Sequence, residues 1–345
     1  MTAHPTVAAL RPRADHGIAG VGVPTDRSPH APDPVRAARA TQAKPPVPFA
    51  WGTRTFIMGI VNCSPDSFSG DGHEHPEAAV AAGLAMVEAG ADILDVGGVS
   101  TRPNAPPVPA EVELARVLLV IERLAARLPA GVPISVDTSR ACVARAAIAA
   151  GATIVNDVWA LTRDPELVEV CAETGVAVVL MHNRPAQAAQ GPLGGYYAAA
   201  EYTDVVEEVG AWLEERVQAV QAAGIPRSRL IVDPGIGFGK TPEQNLVLLR
   251  ELYRLRRRPG LADLPMLLGT SRKSVIGYAL GLPVHERLEG TLATLVLGIV
   301  HGVDIMRVHD VRAAVRACRM ADCIVRGTPP VGFPTGDAAA PGRRA

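Results

Sequence analysis

Eight short apolar runs, with a helical pattern in the stretches between them, limit the possible folds of this chain more than any other feature. They are FIMGIVN (56–62), DILDVGG (92–98), PISVDT (133–138), TIVNDV (153–158), VAVVLMH (176–182), LIVDPGIG (230–237), PMLLGTS (265–271) and DIMRVH (304–309). Each is near-continuously apolar and rich in Val and Ile, so each reads as a strand buried on both faces, as in a parallel sheet covered by helices. The intervening stretches, such as 76–90 and 110–128, place apolar residues three and four apart among Ala, Leu, Glu and Arg, and read as helices. Gly90, Gly151, Gly175 and Gly224 each follow such a stretch, where a helix C-terminus favours glycine. An open doubly wound sheet uses the same alternation. Eight similar units without a compositional break predict a closed α/β fold instead, a single-domain (β/α)8 TIM barrel.

The barrel is expected over residues 49–328. Residues 1–48 are dominated by Pro, Ala, Arg and His without any period and read as a disordered extension; residues 329–345 read as a loose C-terminal tail. With 48% hydrophobic residues among 345 and a net charge of −1, the chain can bury a large core, and it carries no overall charge bias toward nucleic acid or a membrane surface. No apolar run approaches the roughly 18 residues of a membrane span. The five cysteines are odd in number and lack metal-type spacing, which favours free thiols and a cytoplasmic location.

The chemistry is expected at the strand ends, because barrel enzymes place their reacting groups at the C-terminal ends of the strands. Here those ends supply Asn62, Asp95, Asp137, Asn156, Asp157, His182, Asp233, the Ser271-Arg272-Lys273 run, Arg307 and His309. Any one of them is as ordinary as a solvated strand end or a helix cap. Together they have a polarity: acids gather on strands 2, 3, 4 and 6, cations and donors on strands 7 and 8. Asp137, Asn156 and Asp233 suit a heterocycle with an N–H edge, since a carboxylate accepts two parallel hydrogen bonds, and Lys273 suits a ring acceptor. TSRKS (270–274) and RVHD (307–310) follow strands 7 and 8, where barrels frequently bind phosphate; Arg307 offers a planar fork and His309 one more donor.

Three other features read more plainly. GFGKT (237–241) is not a phosphate loop, because the position five before Gly239 is Pro234, which has no N–H. His73 and His75, in a long polar loop after strand 1, are not expected to bind metal, since strand 1 itself ends in Asn62. Cys63 has no partner histidine and is expected to be a small buried residue.

Taken in order, IMGIVNCSPDSFS, GADILDVGGVSTRP, VDTSRACVARAAIAAGATIVNDV, DPGIGFGKTPEQN, GTSRKSVIG and RVHDV resemble the dihydropteroate synthase family, pterin-binding enzymes of folate biosynthesis and sulfonamide targets, over residues 54–326. The resemblance implies condensation of 7,8-dihydropterin-6-ylmethyl diphosphate with 4-aminobenzoate, giving 7,8-dihydropteroate and pyrophosphate, with Mg2+ as cofactor and a homodimer formed through helices near the C-terminal part of the barrel. It implies that Asp137, Asn156 and Asp233 hold the pterin edge, that Lys273 touches the ring and that Met181 and Phe238 line it. By the same resemblance Asn62, Arg307 and His309 hold the diphosphate, Asn62 also meeting the metal. Thr101 and Arg102 belong to a second closing loop, Ser274 to the aminobenzoate side, and Asp66 would stabilise the cation left on the methylene. Asp66, Lys273, Arg307 and His309 are thus the expected catalytic groups. Cys63, Ser64, Val99 and Asn104 depart from the family pattern and bear on the loops. A corrinoid-linked methyltetrahydrofolate methyltransferase would share the acid-lined ring pocket but has no use for Ser-Thr-Arg-Pro (100–103) or Arg-Val-His (307–309); a pterin-binding paralogue without turnover is the other alternative.

Overall fold

The computed structural model describes residues 47–64, 72, 75–101, 105–184, 188–189, 196–197 and 201–329. Strands and helices alternate through them: β1 (Phe56–Asn62), α1 (Pro76–Glu88), β2 (Ile93–Gly97), α2 (Ala110–Arg127), β3 (Ile134–Asp137), α3 (Ala141–Ala150), β4 (Ile154–Asp157), α4 (Pro165–Thr174) and β5 (Ala177–Met181). The second half holds α5 (Val205–Ala222), β6 (Leu230–Asp233), α6 (Pro242–Arg250), α7 (Leu252–Arg256), β7 (Leu267–Leu268), α8 (Ser274–Leu280), α9 (Leu288–Val300), β8 (Ile305–Val308) and α10 (Val311–Val325). A short antiparallel pair, Ala188–Ala189 with Tyr196–Tyr197, lies between β5 and α5.

The eight parallel strands run in the order β6-β5-β4-β3-β2-β1-β8-β7, and a parallel bridge between Val232 and Met266 joins the two ends. The expected TIM barrel is therefore present. The β6–β7 seam is its thinnest. Regular pairing in β7 covers Leu267–Leu268 alone, although the apolar run spans 265–271. Pro265 has no N–H to give a ladder and accepts from Val232 N at 3.0 Å, while the chain already turns at Thr270, whose carbonyl accepts from Lys273 N.

Period-two alternation divides each strand into an outer face, packed on the helices, and an inner face, packed on the other strands. Leu94, Val96, Val136, Val155 and Leu180 join the outer core between sheet and helices. Phe56, Met58, Ile93, Ile154, Val179, Ile231, Leu267 and Ile305 fill the barrel interior. Below them Val47, Phe49 and Trp51 pack against this interior cluster. Phe49 stacks on Phe56 with centroids 4.3 Å apart and Trp51 meets Phe56 edge-on at 5.3 Å, so aromatic rings seal the N-terminal end of the barrel. The described chain thus begins at Val47, two residues before the expected start of the barrel. Thr55, just ahead of β1, donates through its backbone N and its hydroxyl to Asp322 of α10, both at 2.8 Å, which fixes the first strand to the last helix.

Candidate active site

Two residues further along the inward faces of β2, β4, β6 and β8, the interior changes from apolar to polar, with Met181 of β5 the apolar member of the same layer. Asp95 follows Ile93, Asn156 follows Ile154, Met181 follows Val179, Asp233 follows Ile231 and Arg307 follows Ile305, so side chains from five strands share one layer above the apolar plug. Asp137 joins them because Gly97, Asp137 and Asn156 are neighbours in register. Gly97 lies directly beside Asp137: a Cβ there would be in ordinary contact with Asp137 Cβ, at 3.5 Å.

The carboxylates and cations of this bowl are paired across it. Arg307 donates from Nε to Asp95 at 2.6 Å and from Nη2 to Asp137 at 2.8 Å, and Asn156 Nδ2 donates to Asp95 at 3.1 Å. Asp95 Oδ1 is buried and meets no donor among the described residues. One guanidinium serves two buried acids, so burial prevails at Asp137: its carboxyl is pushed up to about 7, against the pull of Arg307 and with the charge of Asp95 adding to the rise. Asp233 accepts from Gly235 N at 2.7 Å; burial raises its pKa, while Lys273, that N–H, Lys240 and Arg307 oppose the rise. Lys273 Nζ donates to Ile236 O at 2.6 Å and stands 4.6 Å from the Phe238 centroid. Burial lowers its pKa to about 8. Asp95, Asp137 and Asp233 are thus offset by Arg307, Lys273 and Lys240.

The rim is cross-tied between β7 and β8. His309 Nδ1 lies 2.9 Å from Ser271 Oγ, which also accepts from His309 N at 3.2 Å. Arg272 grips Asp310 through Nε at 2.9 Å and Nη2 at 2.6 Å. Its backbone has φ +57, uncommon for a side-chain-bearing residue, and is held there by Thr291 Oγ1, accepting from Arg272 N at 3.0 Å, and by Arg287 Nη1, donating to Arg272 O at 3.0 Å. Arg287 is only 1% exposed and lies against Gly277, where any side chain would collide with the guanidinium. The turn so fixed presents Lys273 and Ser274 at the start of α8.

A model of the pterin binding enzyme family matches residues 58–309. The dihydropteroate synthase of Clostridium beijerinckii is 44% identical over 280 residues, covering 81% of this chain and 97% of that protein. The chain belongs to the pterin binding enzyme family. Solved structures agree: dihydropteroate synthase of Clostridium difficile, crystallised in the presence of pteroic acid, superposes with a TM-score of 0.72 at 42% identity, covering 81% of this chain and 99% of that one. Dihydropteroate synthase of Xanthomonas albilineans with 4-aminobenzoic acid gives 0.69 at 44% identity, covering 80% and 94%.

Within this family member, the residues expected at the site fall into three groups. Asp137, Asn156, Met181, Asp233, Phe238, Lys273 and Arg307 converge on the bowl, with Asn62, Ser274 and His309, all half-buried, at strand or helix ends on the same side. Thr101 is exposed on the loop after β2. Asp66, Arg102, Asn104 and His73 lie outside the described residues. Asp157, grouped by sequence with the strand-end acids, faces the other way, because it is one step out of phase with Asn156. It accepts from Trp159 N at 3.0 Å and Leu161 N at 2.7 Å and fixes the turn after β4. Cys63 is 4% exposed and burial pushes its thiol up to about 12, so it is an inert core residue as expected. Asp95, which the expected pterin-holding set leaves out, is the acid that Arg307 and Asn156 both meet, and the step of two from Ile93 puts it on the inner face.

Proposed function

We propose that this protein condenses 7,8-dihydropterin-6-ylmethyl diphosphate with 4-aminobenzoate to 7,8-dihydropteroate and pyrophosphate. The observation that carries the reading is the convergence of Asp95, Asp137, Asn156 and Asp233 beside Lys273 and Phe238, a slot with an acceptor-lined edge and one aromatic wall. A pterin has that complement, a flat ring with adjacent N–H groups on one edge. Asp95 Oδ1, buried without a donor among the described residues, is an acceptor such an edge would satisfy. The relatives support the two halves of the substrate pair: one was crystallised with pteroic acid, another with 4-aminobenzoic acid.

The reaction breaks the bond between the 6-methylene carbon and the diphosphate oxygen, the electron pair leaving with pyrophosphate. The methylene cation is delocalised into the ring, the arylamine nitrogen attacks it, and that nitrogen then gives up a proton. An arylamine is already neutral near pH 7, so the bowl needs no strong base. Asp137, Asn156 and Asp233 orient the pterin edge, and Lys273 donates to the ring while Phe238 and Met181 flank it. Arg307 has five N–H donors, two of them engaged with Asp95 and Asp137, and with His309 it meets the negative charge that grows on the leaving group. Ser274, at the start of α8, serves the aminobenzoate side; Thr101 and Arg102 belong to the second closing loop, and Asp66 would steady the cation.

Asn62 fits a magnesium site of limited kind. It offers one amide oxygen at the end of β1, and no group of three His, Cys, Asp or Glu that could hold an ion exists among the described residues. An ion bound mainly by diphosphate oxygens and water asks for little more. When bound, Mg2+ supplies positive charge to the leaving diphosphate.

The reading includes a homodimer and a cytoplasmic location. Val296 and Val300 of α9 and Met320, Ile324 and Val325 of α10 are exposed on two helices that pack together, Ile324 by 72%. That is an apolar surface of the kind a second copy covers. All five cysteines are free, and no helix among the described residues is long and apolar enough to cross a membrane.

Purified protein incubated with both substrates and Mg2+ tests the function. Dihydropteroate in the product mixture is the expected result. Tight pterin binding with no product at any concentration would leave a non-catalytic pterin-binding protein.

A further inference from the structure

The lysine of GFGKT has no part in the reaction as derived, yet it is among the largest fully buried side chains of the protein, 1% exposed. Its Nζ has three acceptors around it: Gly235 O at 2.9 Å, Phe238 O at 3.0 Å and His182 Nδ1 at 2.9 Å. An ammonium has three N–H groups and no lone pair, so the three acceptors match the charged form, with the His182 proton on Nε2; burial pushes the Lys240 pKa well below its ordinary value, and the attraction of Asp233 opposes that fall. His182 remains a neutral ring, held down to about 2 by burial and by the charge of Lys240.

The segment that Lys240 grips lies backbone against backbone on the end of β5. Gly235 has φ +68 and Gly239 φ +58, and a Cβ at either would run into the main chain, at His182 and Arg184 respectively. The two carbonyls that Lys240 holds flank Ile236, whose own carbonyl accepts from Lys273, and one of them belongs to Phe238, whose ring lies beneath Lys273.

We infer that Lys240 is a positioning residue for the pterin slot: its buried charge clamps the β6–α6 loop to the end of β5 and places a cation behind Asp233. The inference rests on the reading of Asp233 as a pterin acceptor. The charges acting on Asp233 come from three directions, Lys273 at the start of α8, Lys240 in its own loop and Arg307 on β8. The other acids of the bowl, Asp95 on β2 and Asp137 on β3, are engaged by Arg307, and His182 on the β5 side is neutral. Lys240 is thus one of three cations that oppose the rise that burial imposes on the Asp233 carboxyl.

The test is the affinity for 6-hydroxymethylpterin, by fluorescence titration from pH 4.5 to 8, in the wild type and in Lys240→Met, Lys240→Gln and Lys240→Arg. Asp137 and Lys273 titrate toward the upper end of this range in every variant, and an arginine keeps its charge throughout, so the difference between Lys240→Arg and Lys240→Gln isolates the effect of the cation on Asp233. Loss of the cation moves the acid limb of binding upward by about one pH unit in the Met and Gln variants, while Arg returns it to the wild-type position. Gln can still donate to the loop carbonyls, and so gives the comparison if Met does not fold. An equal loss of affinity at every pH, with the limb unmoved, overturns the inference. A wild type that binds no pterin at any pH instead overturns the reading of the site.

Discussion

The Nζ of Lys273 sits 4.6 Å over the ring of Phe238, so a cation and an aromatic face form one side of the slot. Lys273 is charged only below its lowered pKa of about 8, where burial is the main cause of the shift. The charged form is lost as pH rises through that value. The pH–rate profile is therefore expected to fall above about pH 8. Lys273→Met is expected to reduce kcat/KM on the order of 100-fold, ~2.7 kcal/mol of transition-state stabilisation, and to abolish that alkaline limb. A profile in the variant with the same alkaline limb removes Lys273 from the assignment.

Asp233→Asn puts an amide NH2 where the pterin edge offers its own N–H. Pterin affinity is expected to drop by about 2 kcal/mol, the cost of an unmatched buried donor. Calorimetry with 6-hydroxymethylpterin measures it, and an unchanged Kd contradicts the placement.

Arg307 has two duties that can be separated. Arg307→Ala is expected to impair use of the diphosphate substrate and also to destabilise the fold by roughly 3 kcal/mol, because Asp95 and Asp137 lose their shared partner. Asp95→Asn in the same chain should recover part of that stability but none of the diphosphate use. Denaturant melts and steady-state kinetics on the two variants distinguish the roles; stability unaffected by Arg307→Ala refutes the ion-pair account.

Asp137 links stability to pH in a defined direction. Its folded pKa is raised from 3.8 to about 7, chiefly by burial, so between those values the folded protein keeps a proton that the unfolded chain releases. Its contribution is fully present below the unfolded value and is lost as pH rises through about 7. The Tm of Asp137→Asn minus that of the wild type is therefore expected to grow between pH 4 and 7 and then level off. A difference independent of pH would place the folded pKa near its ordinary value.

A homodimer through α9 and α10 predicts that Ile324→Asp, together with Val300→Asp, yields a monomer by sedimentation velocity at micromolar concentration. A wild type that sediments as a monomer contradicts this arrangement.

The barrel was legible because its strands are buried on both faces, which writes them as apolar runs, and each observed strand lies within its run. β7 is shorter than its run because apolar character does not reveal where a ladder stops. The bowl was legible as a set of strand ends but not as a set of directions. Asp157 and Asn156 are adjacent and equally polar, yet only one faces inward, and the parity has to be counted back from Ile154. Lys240 and His182 are 58 residues apart, and nothing local to either announces the contact. The strand-end cation Arg272 likewise turned out to be tied to Asp310, a pairing that depends on how two loops cross.

Phe49 and Trp51 leave the barrel shut at one end, which turns it into a vessel with a single mouth. Guests in such a vessel stack in a fixed order. On the proposed reading, a ring that reaches down to Asp95 would be loaded ahead of anything resting near Ser274, and the condensed product would withdraw by the route its two precursors came in.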